Sequence, residues 1–264
     1  MARTSSVESF DGVQITYNVS GENVHDDVVT IVFVHGWTCN RTHWGNQVSA
    51  FSDRWRSVAI DLAGHGDSSL GRTDYSVPDF AQDVVAVLDH EQISRVVLIG
   101  HSMGGMVIIH AAEMLGERVV GLVGADTFKF LRQDPASGKQ AEQLEILNSD
   151  YHSTVSEIVS SLFTNDTPDV IRKIISAGML ATPKEVGMGG MRAMVKDVAL
   201  FDAVSGFQFP KFAFNATGRP MDEKAASDAG IDVRYLPTNG HFVMNEDPDG
   251  FNRLLDEALR RMFE

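Results

Sequence analysis

An apolar, β-branched run, Arg95-Val96-Val97-Leu98-Ile99, leads straight into Gly100-His101-Ser102-Met103-Gly104-Gly105, and that turn opens into a helical stretch, Met106 to Leu115. Few folds accept such a junction. A strand that is apolar at every position is buried on both faces, as in a parallel sheet covered by helices. A serine between strand and helix has to sit on a sharp turn, and small residues two before and two after it let the backbones approach. The turn projects the Ser102 hydroxyl at a helix N-terminus, whose free N–H groups favour developing negative charge.

The pattern repeats on both sides of this junction. Gln14 to Asn18 alternates like an exposed strand, and Val28 to Val34, Arg56 to Ile60 and Val119 to Gly124 read as further buried strands. Thr42 to Phe51 predicts a short helix. Ser76 is an N-cap for a helix whose stripe is Phe80, Val84, Val87 and Leu88, with Asp79 in its first turn. Gly116 is the stop of the helix after Ser102. Strands resume at Lys211 to Asn215 and Asp232 to Leu236, and Asp247-Pro248 is an N-cap and N1 pair for a last helix through about Met262.

The stretch 127–209 breaks this alternation. It has helical patches at Ala141 to Leu147, Val155 to Phe163 and Val170 to Leu180, no strong strand, and methionines at 179, 188, 191 and 194. Gly187 and the Gly189-Gly190 pair are expected to loosen it. It is too long for a connecting loop. The expectation is a core of residues 1–126 and 210–264, with 127–209 a helical cap over the C-terminal edge of the sheet. The methionines predict an adaptable apolar pocket beneath it.

Charge and cysteine content narrow the function. The net charge of -14 repels nucleic-acid phosphates and anionic lipid heads. It also sets a long-range field against strongly acidic substrates. One cysteine, Cys39, allows no internal disulfide. The start of the chain has no apolar segment behind Arg3, and no apolar run approaches the roughly 18 residues that span a bilayer. A soluble, cytoplasmic protein is expected, with no nucleic-acid or membrane partner.

Four blocks now carry a resemblance over nearly the whole chain. His35-Gly36-Trp37, Asp61-Leu62-Ala63-Gly64-His65-Gly66-Asp67-Ser68, Gly100-His101-Ser102-Met103-Gly104, and Gly240-His241-Phe242 followed by Glu246-Asp247-Pro248 resemble, in this order, the motifs of the α/β-hydrolase superfamily. The resemblance implies an α/β fold with a mostly parallel eight-stranded sheet, helices on both faces, and a cap after strand 6. It implies Ser102 as nucleophile and the backbone N–H groups of Trp37 and Met103 as oxyanion donors.

Nine histidines compete for the role of base. His35 and His65 sit in Gly-flanked turns and resemble structural histidines of the family. His101 points away from its neighbour by strand alternation. His25, His43, His90, His110 and His152 lack a motif. His241 follows the last strand, at the edge where Ser102 emerges, and is the expected base.

The acid departs from the family pattern. Most relatives carry it after strand 7, shortly before a proline. Here that stretch reads Asn215-Ala216-Thr217-Gly218-Arg219-Pro220-Met221-Asp222, the usual acid position falls on Gly218 or Arg219, and an arginine cannot accept the imidazole N–H. Asp126, just past strand 6, is favoured, since some branches use that strand end and its strand should lie beside the nucleophile's. Asp222 is the alternative.

Other side chains draw plainer expectations. Cys39 and Trp44 are read as buried packing residues, and Asp61 and Asp67 as braces of their turn. Trp37 either lines the pocket or packs at the cap seam. No metal-ligand spacing is present, and Gly187 to Gly190 lacks the Lys and Ser/Thr of a phosphate loop, so no metal or cofactor is expected. The implied activity is hydrolysis of small to medium carboxylic esters or lactones through an acyl-enzyme. The alternatives are C–C, thioester or perhydrolase chemistry on the same triad, or a non-enzymatic small-molecule receptor. Monomer and dimer both remain open.

Overall fold

A computed structural model of the chain describes residues 2–21, 29–129, 131, 139–196, 200–219 and 221–263. Its eight strands are β1 (Arg3–Glu8), β2 (Gln14–Ser20), β3 (Thr30–Val34), β4 (Ser57–Ile60), β5 (Val96–His101), β6 (Val119–Ala125), β7 (Lys211–Ala216) and β8 (Ile231–Leu236). They form one sheet in the order β1-β2-β4-β3-β5-β6-β7-β8. The run from β4 to β8 is parallel, and β2 lies antiparallel to both of its neighbours. Every residue of β3, β4, β5 and β7 is buried, as their continuous apolar sequences require. Val28, the expected start of β3, lies outside the described residues.

Helices cover both faces. In chain order they are α1 (Gly45–Phe51), α2 (Val77–His90) and α3 (Met103–Leu115), then α4 (Lys139–Ser149), α5 (Tyr151–Ser161), α6 (Asp169–Leu180), α7 (Lys184–Lys196) and α8 (Leu200–Gly206), and last α9 (Glu223–Asp228), α10 (Val243–Glu246) and α11 (Pro248–Phe263). A 3₁₀ turn, Arg41–Trp44, precedes α1. α2 and α3 pack together on one face, and α1 and α11 on the other. Alternation along β6 explains the split. Gly121 leaves room for Met262 of α11, whereas Gly124 points to the opposite side. Ser76 caps α2 by accepting the Asp79 N–H at 3.2 Å.

Five helices, α4 to α8, run between β6 and β7. Gly187, Gly189 and Gly190 do not loosen this segment. They lie inside α7, where a Cβ would meet Tyr151, Tyr75 and Trp37 respectively, so they let the helix settle closely on its neighbours. Among the described residues no helix is long and apolar enough to cross a membrane.

Candidate active site

Two adjacent strands deliver two unusual residues to the same edge. In β5 and β6, His101 pairs with Ala125, so the chain leaves the sheet at the same level at Ser102 and Asp126. Both residues have positive φ, 52° for Ser102 and 44° for Asp126. That region costs a non-glycine residue of order 1–3 kcal/mol and persists only where surroundings enforce it. Here the Ser102 N–H donates to the Ala125 carbonyl at 3.2 Å, and the Asp126 N–H to the Phe214 carbonyl at 2.9 Å. The glycines at 100 and 104 make the turn possible. A Cβ on Gly100 would lie 2.3 Å from the Gly104 carbonyl oxygen, and one on Gly104 would lie 2.5 Å from the Val34 carbonyl oxygen.

His241 comes from the loop between β8 and α10. Its Nδ1–H donates to Asp126 Oδ2 at 2.5 Å. This leaves Nε2 as the unprotonated nitrogen, the tautomer a general base needs. The loop is held from three directions. The His241 N–H donates to the Leu162 carbonyl at 2.9 Å, His101 Nε2–H donates to the His241 carbonyl at 3.0 Å, and Glu246 Oε2 accepts the Gly240 N–H at 3.1 Å. Ser102, Asp126 and His241 line one cavity of about 310 Å³.

Asp126 is more crowded than a carboxylate that only orients an imidazole. Its Oδ1 accepts from Lys129 Nζ at 2.6 Å and the Ala216 N–H at 3.2 Å, and its Oδ2 accepts from Arg219 Nε at 3.0 Å as well as from His241. Burial pushes the Asp126 carboxyl up. The His241 hydrogen bond and the His241 and Lys129 charges outweigh this and hold it well below the usual carboxylate range. For His241, burial disfavours the imidazolium, Asp126 favours it, and Arg219 and Lys129 oppose it. The balance falls below the ordinary imidazole value.

The sequence expectations divide as follows. Ser102, His241 and Asp126 come together. Asp222 does not join them, because it caps α9, its Oδ1 accepting the Ala225 N–H at 2.9 Å. Gly36, the residue before Trp37, packs against the Ser102 turn, where a Cβ would sit 3.1 Å from Ser102 Cβ. Met103 is the first residue of α3 and lines the cavity. The Trp37 indole donates to the Gly187 carbonyl of α7 at 2.7 Å, so its side chain is a seam contact. Of the four methionines expected to shape a pocket, Met194 reaches the cavity, joined by Met103 and Met106 of α3.

His35 and His65 are buried turn residues. His35 Nε2 accepts the Leu62 N–H at 3.1 Å, and His65 Nδ1–H donates to the Ala63 carbonyl at 3.0 Å. Asp61 and Asp67 both pair with Arg41, bracing their turn. Cys39 and Trp44 are buried, and burial pushes the Cys39 thiol up and away from reactivity. Among the described residues no group of three or more His, Cys, Asp or Glu side chains could hold a metal ion.

Sequence reasoning missed Lys129, Arg219 and the roles of His101 and Glu246. Arg219 left a signal, since it lies in the loop after β7 where the resemblance led an acid to be expected.

Comparison with known proteins agrees with this architecture. Residues 31–254 match the model of the alpha/beta hydrolase family. The chain belongs to the alpha/beta hydrolase family. It is 31% identical over 152 residues to the pimeloyl-[acyl-carrier protein] methyl ester esterase of Aeromonas hydrophila, covering 54% of this chain and 58% of that protein. It is 26% identical over 150 residues to 3-oxoadipate enol-lactonase 2 of Acinetobacter baylyi, covering 56% of each. Among solved structures it superposes on a thermophilic esterase from Thermogutta terrifontis with a TM-score of 0.86 and 21% identity, covering 99% of this chain and 100% of that one. The matches span between 25% and 58% of the length of the curated relatives.

Proposed function

We propose that this protein is a serine hydrolase of small to medium carboxylic esters or lactones, with Ser102 as nucleophile, His241 as general base and acid, and Asp126 as the orienting carboxylate. One observation carries the reading. The His241–Asp126 hydrogen bond opens onto the cavity that Ser102 lines from a strained strand-to-helix turn.

In this mechanism Ser102 Oγ bonds to the substrate carbonyl carbon while its proton passes to His241 Nε2. The carbonyl electron pair moves to oxygen, and the oxyanion is met by the backbone N–H groups of Trp37 and Met103. One such donor is worth about 3 kcal/mol in the transition state. The bond to the leaving oxygen then breaks and that oxygen takes the proton from His241. Water, deprotonated by His241, attacks the acyl-enzyme and releases the acid and the free serine.

Residues 127–209 act as a lid in this reading, over a core of 1–126 and 210–264. Leu162, Met194 and Leu200 supply apolar wall, and the Leu162 carbonyl holds the His241 backbone, so lid position and base position are linked. The relatives named for ester and lactone cleavage support the substrate class. The test is labelling by a fluorophosphonate together with turnover of a p-nitrophenyl ester panel, with Ser102→Ala as control. Labelling at Ser102 with steady turnover is expected, and both should vanish in the variant. Turnover unchanged in Ser102→Ala refutes the reading, and labelling with only one or a few turnovers favours a receptor instead.

A further inference from the structure

The cavity beside Ser102 holds more positive charge than its carboxylate needs. Lys129 and Arg219 both line it, and both contact Asp126. The Lys129 side chain is 9% exposed, so its charge is nearly removed from water, and Arg219 is 33% exposed. Among the described residues Asp126 is the one acidic residue of the cavity lining, and it is already shared among His241, Lys129, Arg219 and the Ala216 N–H. The nearby Glu246 is committed elsewhere, to the Gly240 N–H and the Thr167 hydroxyl. Arg219 uses Nε on Asp126. Among the described residues its terminal guanidinium nitrogens have no hydrogen-bond partner. A guanidinium edge free in a cavity is the geometry that takes a carboxylate through two parallel N–H···O bonds.

We propose that Arg219, backed by Lys129, binds a carboxylate on the substrate, so that the ester or lactone cleaved at Ser102 carries an anionic group on an otherwise apolar chain. The remaining wall, Met106, Phe128, Leu131, Leu162, Met194 and Leu200, suits such a chain.

This arrangement gives the second cation a function in the reaction. Two positive charges beside His241 oppose its protonation, which is unhelpful to a base that must become imidazolium. A bound substrate carboxylate offsets one of them when the proton has to move. Neutral substrates would leave that opposition in place. The negative charge of the whole chain does not defeat such binding, because at physiological salt a field fades over about 8 Å while the cavity charges act at contact.

The inference rests on the hydrolase reading of Ser102, and the experiment separates the two. At 0.15 M salt, kcat/KM is measured for methyl hydrogen glutarate against methyl pentanoate, and for 4-acetoxybutyrate against butyl acetate. The first pair places the carboxylate on the acyl side and the second on the leaving group. A preference of about ten- to a hundredfold for the anionic member of at least one pair is expected. It should collapse to below about threefold in Arg219→Gln and be partly kept in Arg219→Lys, which retains charge without the fork. Thermal unfolding confirms that the variants are folded.

If the folded wild type turns over none of the four, the fluorophosphonate label and the p-nitrophenyl panel decide the hydrolase reading. Calorimetry with glutarate then decides the inference alone, with binding lost in Arg219→Gln supporting it and no binding overturning it. Turnover without preference in either pair, or a preference that survives Arg219→Gln, also overturns it.

Discussion

Replacing Asp126 with asparagine probes the site most directly, because it removes one charge and leaves the shape nearly intact. Two consequences follow from the contacts. The imidazole loses its ionic acceptor, so nothing fixes Nδ1 as the protonated nitrogen. If the amide NH₂ faces the ring, the tautomer reverses and Nε2 carries the proton toward Ser102, where it cannot act as base. A loss of about 10⁴ in kcat is typical of this change, which corresponds to about 5 kcal/mol of transition-state stabilisation. The second consequence is specific to this chain. Lys129 and Arg219 lose their shared carboxylate. Breaking a buried pair costs about 3–5 kcal/mol, and the buried Lys129 contributes more of it than the partly exposed Arg219.

The assay therefore needs stability and activity together. Asp126→Asn is expected to unfold earlier on heating and to lose about four orders of magnitude in kcat for a p-nitrophenyl ester. Adding Lys129→Met to that variant removes the stranded charge and should recover most of the stability without recovering activity. Asp222→Asn, in contrast, weakens only the cap of α9, costs under about 1 kcal/mol, and leaves turnover unchanged. If Asp126→Asn keeps activity within tenfold of the parent, or if the double variant regains it with its stability, then Asp126 is a structural residue and the assignment of the acid is wrong.

Three further outcomes are expected. Burial sets His241 below the ordinary imidazole value, so the neutral base persists into mildly acidic solution. The acid limb of kcat/KM for a neutral ester should have its midpoint below pH 6.5, and Arg219→Gln, which removes an opposing positive charge, should move that midpoint up. Burial also pushes His35 and His65 down to about 3 and His43 to about 4. Below pH 6.5 the unfolded chain protonates these three sites while the native fold resists it, so the stability they contribute above that pH falls as the solution is acidified, by roughly 8 kcal/mol for the three at pH 4.5. Set against a usual stability of about 5–15 kcal/mol, this predicts unfolding near pH 4–5, and a circular dichroism titration that stays flat to pH 3 would contradict it. Gly100→Ala drives a methyl group into the Gly104 carbonyl and should abolish fluorophosphonate labelling at Ser102 even where soluble protein is recovered.

What the chain revealed before folding, and what it hid, follows from the range of the interactions involved. The buried strands were legible because burial on both faces imposes continuous apolar runs, and the elbow was legible because its close approaches exclude all but glycine at 100 and 104. β1 went unread for the opposite reason. It is an edge strand of the half-exposed sequence Arg3–Glu8, paired on one side to β2, so packing imposes little pattern on it. The glycines of α7 were misread because a helix that must lie against Tyr75 and Trp37 selects small residues as a loop does, and the sequence distinguishes the two poorly. Asp126 could be inferred from a strand order in which β6 neighbours β5, yet its cations could not. Lys129 lies three residues away, but Arg219 lies 93 residues away, and only the parallel pairing of β6 with β7 makes them neighbours. The arginine that seemed to disqualify the β7 loop from supplying an acid is thus a hydrogen-bond partner of Asp126, the carboxylate at the neighbouring strand end.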